Sequence, residues 1–322
     1  MARPVAFVHV DLDNTWAIAD CYGADLAPEH RNFVYENALP RFAAIFGELK
    51  IRSTLFVVGR DLEIEGNAAR LRSFVESGHQ IGNHSQTHEL GFRDLTRDQI
   101  ILEVSAAEAA ISQNLGVTPR GFRAPGYGVS ANLISVLIER GYQYDSSIMP
   151  SPYGFVFRWL DGRLRRKTPR GRALKKTQFP LLTDAQAPLH TYRVSTAKPT
   201  LPDESSTLFE LPVATSPLLR LPFQASVCQR LGMAYFRRQL AAFRQRPELP
   251  LTFLLHGADL TDFAAMGNPF FAASAFFARP VADKAAEIRA FLGEIAQSHN
   301  IVLAEDWLAE SPSAQTGSAR TP

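Results

Sequence analysis

The sequence predicts an α/β fold of parallel strands covered by outer helices, and three observations carry that prediction. Short β-rich runs alternate with helix-period segments through residue 147, and the turns joining them are short. A chain of 322 residues is also a size that one α/β barrel commonly occupies.

The elements follow in order. Residues 5–10 (VAFVHV) read as a buried strand ending at Asp11 and Asp13. Residues 35–49 put Leu39, Phe42, Ala43 and Phe46 on one helical face, and STLFVVG (53–59) is a strand closed by glycine. A helix over 67–77 stops before Gly78, and HQIGNH (79–84) follows as a strand. In 96–115, Thr96 and Gln99 have capping-box spacing, Ile100, Val104, Ala107 and Ile111 form a stripe, and Gly116 stops the helix. A helix over 130–140, capped by Ser130, leads into a strand over 142–147. The second half offers strands at 207–213, 251–256 and 300–305, with helices near 233–245 and 281–298. Residues 150–205 show neither period, and so long an irregular stretch is usually functional or mobile. The expected organisation is one domain over 1–310 with an insert at about 150–205, then a disordered tail over 311–322.

Composition narrows the function classes. Hydrophobic residues make up 46% and charged residues 20%, enough to bury a sizeable core. A net charge of +2 excludes a globally basic nucleic-acid binder. Cys21 and Cys228 are isolated and support neither a disulfide framework nor a Cys-type metal site. The opening MARPVAFVHVDLDN meets charge almost at once and reads as a strand rather than a secretory leader, so the cytoplasm is the expected compartment. No run of about 18 uncharged apolar residues predicts a membrane-spanning helix.

The chemistry concentrates at strand ends. His84 and His88 lie four apart, a spacing that on a helical turn lets both imidazoles reach one ion, or that two surface histidines share. Asp11 and Asp13 point to one side of an extended strand, at the end where barrel enzymes place their chemistry. A carboxylate with two histidines is a common ligand set for zinc and related ions, and a second carboxylate beside it suits a general base. The competing reading is a turn or capping pair of aspartates.

With these motifs the sequence resembles the polysaccharide deacetylases of carbohydrate esterase family four. SGHQIGNHSQTH (77–88) is similar to their histidine motif, STLFVVG to their second strand, GFRAPGYG (121–128) to their arginine motif, YDSS (144–147) to the strand after it, and LLH (254–256) to their final histidine motif. The motifs keep the family's order. The resemblance implies a distorted (β/α)7-type barrel with the NodB-type hydrolase site and a divalent metal cofactor, zinc being the expected ion. It implies Asp13, His84 and His88 as metal ligands, Asp11 as base, and His256 as the acid across the site. Arg123 would hold Asp11, and the backbone near Tyr127 would stabilise the oxyanion. The first motif departs from the commoner adjacent pair, because Leu12 separates Asp11 from Asp13, and this leaves a swap of their roles open. For the acid that tunes His256, Asp145 and Glu210 are the candidates. Trp16 either lines the sugar site or packs in the core. His9 and His79 read as interior residues, and His30, His190 and His299 as solvated ones.

The insert bears on the substrate. Between Arg158 and Lys176 nine basic residues face Asp161 alone, directly after the aromatic run YGFVFRW (153–159). That mixture suits an anionic membrane surface or a polyprenyl phosphate, and a solvated basic loop is the plainer alternative. The expectation is an N-acyl (acetyl or formyl) amidohydrolase acting on an amino sugar that is carried on a lipid phosphate, a logic that resembles that of the lipid-linked aminoarabinose deformylases, a branch of the same superfamily. It would be a cytoplasmic enzyme, peripheral at the inner membrane surface through 153–176, with no nucleic-acid partner. A catalytically silent glycan-binding barrel and a deacylase of a small non-sugar amide are the competing readings.

Overall fold

A computed structural model describes residues 3–173 and 179–310; the expected tail, Lys175 and Lys176 lie outside the described residues. The strands are β1 (Val5–Asp11), β2 (Thr54–Val57), β3 (Gln80–Asn83), β4 (Gly121–Phe122), β5 (Tyr144–Asp145), β6 (Tyr192–Arg193), β7 (Phe209–Glu210), β8 (Leu251–His256) and β9 (Asn300–Ile301). They run in the order β6-β7-β5-β4-β3-β2-β1-β8, with β9 beside β1. Pairing is parallel except between β6 and β7. After β7 the chain bridges the gap: the Leu211 amide donates to the Asp145 carbonyl and the Ala214 amide to Thr252 of β8, at 2.8 and 3.0 Å. The sheet thus curls into an irregular barrel.

The helices are α1 (Thr15–Tyr22), α2 (Leu39–Leu49), α3 (Asn67–Glu76), α4 (Arg97–Leu115), α5 (Ala131–Glu139), α6 (Gly154–Arg165), α7 (Pro169–Ala173), α8 (Ala225–Arg244), α9 (Pro269–Ala272), α10 (Val281–Ser298) and α11 (Ala304–Glu310). Alternation along β1 sets the two sides. Val8 and Val10 face Phe42, Phe46 and Phe291 of the outer helices, whereas Phe7 packs inside with Phe56, Tyr144 and Leu211. Ala304 and Leu308 of α11 close that lower layer. Each fully buried aromatic or aliphatic side chain contributes roughly 1.5–3 kcal/mol relative to exposure.

Several expectations need correction. The helix expected over 35–49 begins as a π-type turn over Val34–Ala38, because Pro40 has no N–H to continue a regular ladder, and Ile45 rather than Ala43 faces the core. The strand expected at 300–305 stops at Ile301, and α11 starts at Ala304. The helix expected from 233 starts at Ala225 and is interrupted at Gly232, whose φ of 82° no regular helix accommodates. The insert is not irregular throughout. Its basic stretch forms α6 and α7, with Phe157, Leu160, Asp161 and Leu164 at helical spacing on the inner face.

Candidate active site

All the strong candidates gather at the carboxyl ends of the barrel strands. Register explains two of them: Asp11 of β1 pairs with His256 of β8 and with Phe56 of β2. The His256 Nε2 lies 3.9 Å from the Asp11 carboxylate, so this histidine sits beside Asp11 on the neighbouring strand. Arg123, just past β4, is 1% exposed, and its Nε reaches Asp11 at 3.0 Å. Its Nη2 donates both to Ser146 Oγ at 3.0 Å and to His9 Nδ1 at 2.8 Å. Burial, then the Arg123 charge, holds His9 well below its ordinary pKa, so His9 is a neutral acceptor.

Asp13, His84 and His88 converge, with their ligand atoms all within 4.8 Å of one another. The Asp13 Oδ1 is 3.1 Å from the Nε2 of each histidine. The two histidines do not share a helical turn, as their spacing suggested. His84 ends β3, and the chain then turns through Ser85 and His88 at φ of 67° and 53°, in the left-handed region. Four anchors hold this turn. The Ser85 amide donates to Asn83 Oδ1 and the His88 amide to Ser85 Oγ. Glu103 of α4 accepts from the Gln86 and Thr87 amides and the Thr87 hydroxyl at 2.8–3.0 Å. The Gly59 amide donates to the Ser85 carbonyl, and only glycine fits there, because an added Cβ would lie 2.7 Å from the Ala107 Cα.

The donor set suits a divalent cation. His84 Nδ1 meets the Arg123 carbonyl at 2.7 Å, and since a carbonyl only accepts, Nδ1 carries the proton and Nε2 presents its lone pair. Burial opposes charge at His88, but the Asp13 carboxylate outweighs it and holds the imidazole well above its ordinary pKa. The same attraction overcomes burial at Asp13 and holds that carboxyl well below the usual range. Two imidazoles and one ionised carboxylate crowded together are what a bound cation would satisfy.

Other candidates fall elsewhere. Trp16 does not line the cavity: its Nε1 donates to the buried Asp61 at 2.7 Å, and its ring packs with Ala17 and Val58. Asp145 and Glu210 are not partners of His256. They neighbour each other in register between β5 and β7, and bond to Ser147 Oγ and the Ile148 amide. The carboxylate facing His256 is Asp259, fully buried, 3.9 Å from Nδ1, with its Oδ2 capping the His256 amide at 2.8 Å. Tyr127, at φ 62°, lines the cavity, donates its hydroxyl to Gln224, and has its amide 3.3 Å from the Ala124 carbonyl, a long contact. His299, expected on the surface, is buried, and burial lowers its pKa to about 4.

Sequence reasoning missed Glu103, Asp259 and Cys21. The Cys21 side chain lines the cavity with His88. The three-residue spacing from His256 to Asp259 was the available signal for one of them. Glu103 and Cys21 carry no local motif.

Fold and site together define a (β/α)7-type barrel with a candidate divalent-cation centre beside a held carboxylate and a histidine. Residues 27–144 match the family model for polysaccharide deacetylases. It is 25% identical over 157 residues, 48% of its length, to the peptidoglycan deacetylase of Helicobacter pylori. It is 37% identical over 94 residues, 29% of its length, to chitin deacetylase 1 of Cryptococcus neoformans var. grubii. The chain spans only 53% and 19% of those two relatives. A crystal structure from Mycobacterium smegmatis, described as a candidate polysaccharide deacetylase, superposes with a TM-score of 0.63 at 20% identity, covering 100% of this chain and 96% of that one. That likeness is one of fold.

Proposed function

We propose that this protein is a metal-dependent hydrolase that removes an N-acyl group, acetyl or formyl, from an amino sugar. The observation that carries the reading is the common cavity of about 220 Å³ lined by Asp11, Asp13, His84, His88 and His256. A binding protein has no need of a base, an acid and a cation site in one place.

In this reading Asp13, His84 and His88 hold the ion. When bound, a divalent cation, zinc in our reading, supplies positive charge that polarises the amide carbonyl and acidifies water. Asp11 takes a proton from the attacking water as the new C–O bond forms, and Arg123 holds Asp11 in orientation. His256, backed by Asp259, gives a proton to the nitrogen as the C–N bond breaks, releasing the amine and the carboxylic acid. The Tyr127 amide, only weakly engaged, turns to the oxyanion.

The outer face of α6 supports a lipid-carried substrate met at an anionic membrane. Phe155 and Trp159 are 60% and 56% exposed, and Arg163 stacks on Trp159 at 4.6 Å. Arg166, Lys167 and Arg170 are exposed beyond them, whereas Arg165 is buried against Asp161 at 2.7 Å and belongs to the interior. No helix among the described residues is long and apolar enough to cross a membrane.

Two experiments test this reading. Amine release from N-acetyl and N-formyl amino sugars, measured after chelation and after zinc is restored, should vanish and return; metal-free protein of undiminished activity contradicts it. Co-sedimentation with phosphatidylglycerol vesicles should weaken at least tenfold when Arg163, Arg166 and Lys167 are neutralised. Equal, salt-insensitive binding removes the membrane contact. A silent glycan-binding barrel would instead bind the sugars without releasing amine.

A further inference from the structure

The cavity has two unlike halves. One carries the aspartates and histidines; the other is walled by Phe157, Leu160 and Leu164 of α6, by Phe179 stacked on Phe157 at 5.9 Å, and by Phe276 and Phe277. The polar groups on that second side are already engaged. Asp161 faces the Arg165 guanidinium at 2.7 Å, and Gln224 accepts from the Tyr127 hydroxyl and donates to Ser226. Arg230, exposed at the rim, lies over the Phe276 ring at 4.8 Å. Sugar hydroxyls entering this half would find few partners, and losing water without replacement bonds is unfavourable. An acetyl or formyl group beside Asp13 and His88 would leave most of the apolar wall uncovered.

We propose that this half is a subsite for a hydrocarbon chain covalently carried by the substrate. The proposal rests on the hydrolytic reading of the same cavity and narrows its substrate class. It also gives α6 two faces, one toward the chain and one toward solvent. The inner stripe at 157, 160 and 164 is the apolar lining, and Phe155 and Trp159 point the other way. A chain in the chamber would replace water against aromatic and leucine surface, so tightness should scale with methylenes buried.

Two substrate series test this, each kept below its micelle concentration. One is 2-acetamido-2-deoxyglucosides with methyl, butyl or octyl aglycones; the other is methyl glucosaminide carrying acetyl, butyryl or octanoyl on nitrogen. We expect kcat/KM for amine release by the wild-type protein to rise roughly two- to fourfold per added methylene in one series until the chamber is filled. The series that rises tells which side of the scissile bond bears the chain. In Phe157→Ser the ratio of octyl (or octanoyl) to short-chain kcat/KM should fall at least tenfold. Flat chain-length profiles in both series, with the short-chain acetyl substrates still turned over, overturn the subsite and leave the hydrolytic reading standing. If no amine is released from any compound, calorimetric Kd values decide the subsite separately. Octyl binding no tighter than methyl overturns it, and octyl binding at least tenfold tighter upholds it. The chain-length slope is read on the wild-type protein, so the outcome does not depend on a variant folding.

Discussion

His84 donates its Nδ1 proton to the backbone carbonyl of Arg123 across 2.7 Å, and the same arginine holds Asp11 by its side chain at 3.0 Å. One residue therefore sets the tautomer of a candidate metal ligand and the orientation of the candidate base. The two halves of the chemistry are coupled through a single strand end.

The first prediction concerns protons. In the ion-free protein His88 is charged near neutrality, because Asp13 raises its pKa despite burial. A cation must displace that proton, so binding should release about one proton per ion at pH 7. Affinity should rise with pH and level off above the raised pKa of His88. Calorimetry in buffers of different ionisation enthalpy measures this directly. Binding that is independent of pH between 6 and 8 would rule the ligand assignment out.

The second prediction is energetic. Arg123→Met leaves Asp11 buried without its counter-charge, which costs about 3–5 kcal/mol of stability. Adding Asp11→Leu removes the orphaned charge and should restore much of the loss. Turnover should fall at least a hundredfold in both variants, since the base is unheld in one and absent in the other. Urea unfolding of the single and double variants checks the stability claim; a double variant no more stable than the single contradicts it.

The third prediction falls on Glu103, which touches no reacting group. It acts by holding the amides of Gln86 and Thr87, and through them the turn that presents His88. Glu103→Ala should weaken ion affinity about 10- to 100-fold, with the loss in turnover recovered at saturating metal. Unchanged affinity would show that the turn holds itself.

The fold and the main candidate residues were legible because they are local and patterned. Thr96 and Gln99 form the capping box their spacing announced, and Ile100, Val104, Ala107 and Ile111 are all buried. What escaped was set by tertiary contact. The imidazoles of His84 and His88 meet through a left-handed turn rather than a helix, and no periodicity encodes the φ of Ser85. The helical inner face of α6 was hidden because Asp161 sits within its apolar stripe, and only its buried pairing with Arg165 makes that position tolerable. Trp16 was ambiguous for a similar reason: its partner, Asp61, lies 45 residues away.

That partner yields a fourth prediction. Burial raises the Asp61 carboxyl from 3.8 to about 7, although Trp16 and Asn14 donate to it. A group whose folded pKa is raised stabilises the fold below its unfolded pKa, and that contribution is lost as pH climbs through the folded value. Stability should therefore fall through this group between pH 4 and about 7. Asp61→Asn keeps an acceptor for both donors and cannot ionise, so its urea midpoint should change less than wild type between pH 5 and 8. Identical slopes would remove Asp61 from the account.

The central claim is the division of labour between two aspartates one residue apart, and metal content paired with turnover in Asp11→Asn and Asp13→Asn tests it most directly. Asp11→Asn should retain one divalent ion per chain while amine release falls at least a hundredfold. Asp13→Asn should lose the ion and the activity together. An Asp13→Asn protein that keeps both, or an Asp11→Asn protein that loses its ion, would contradict the assignment.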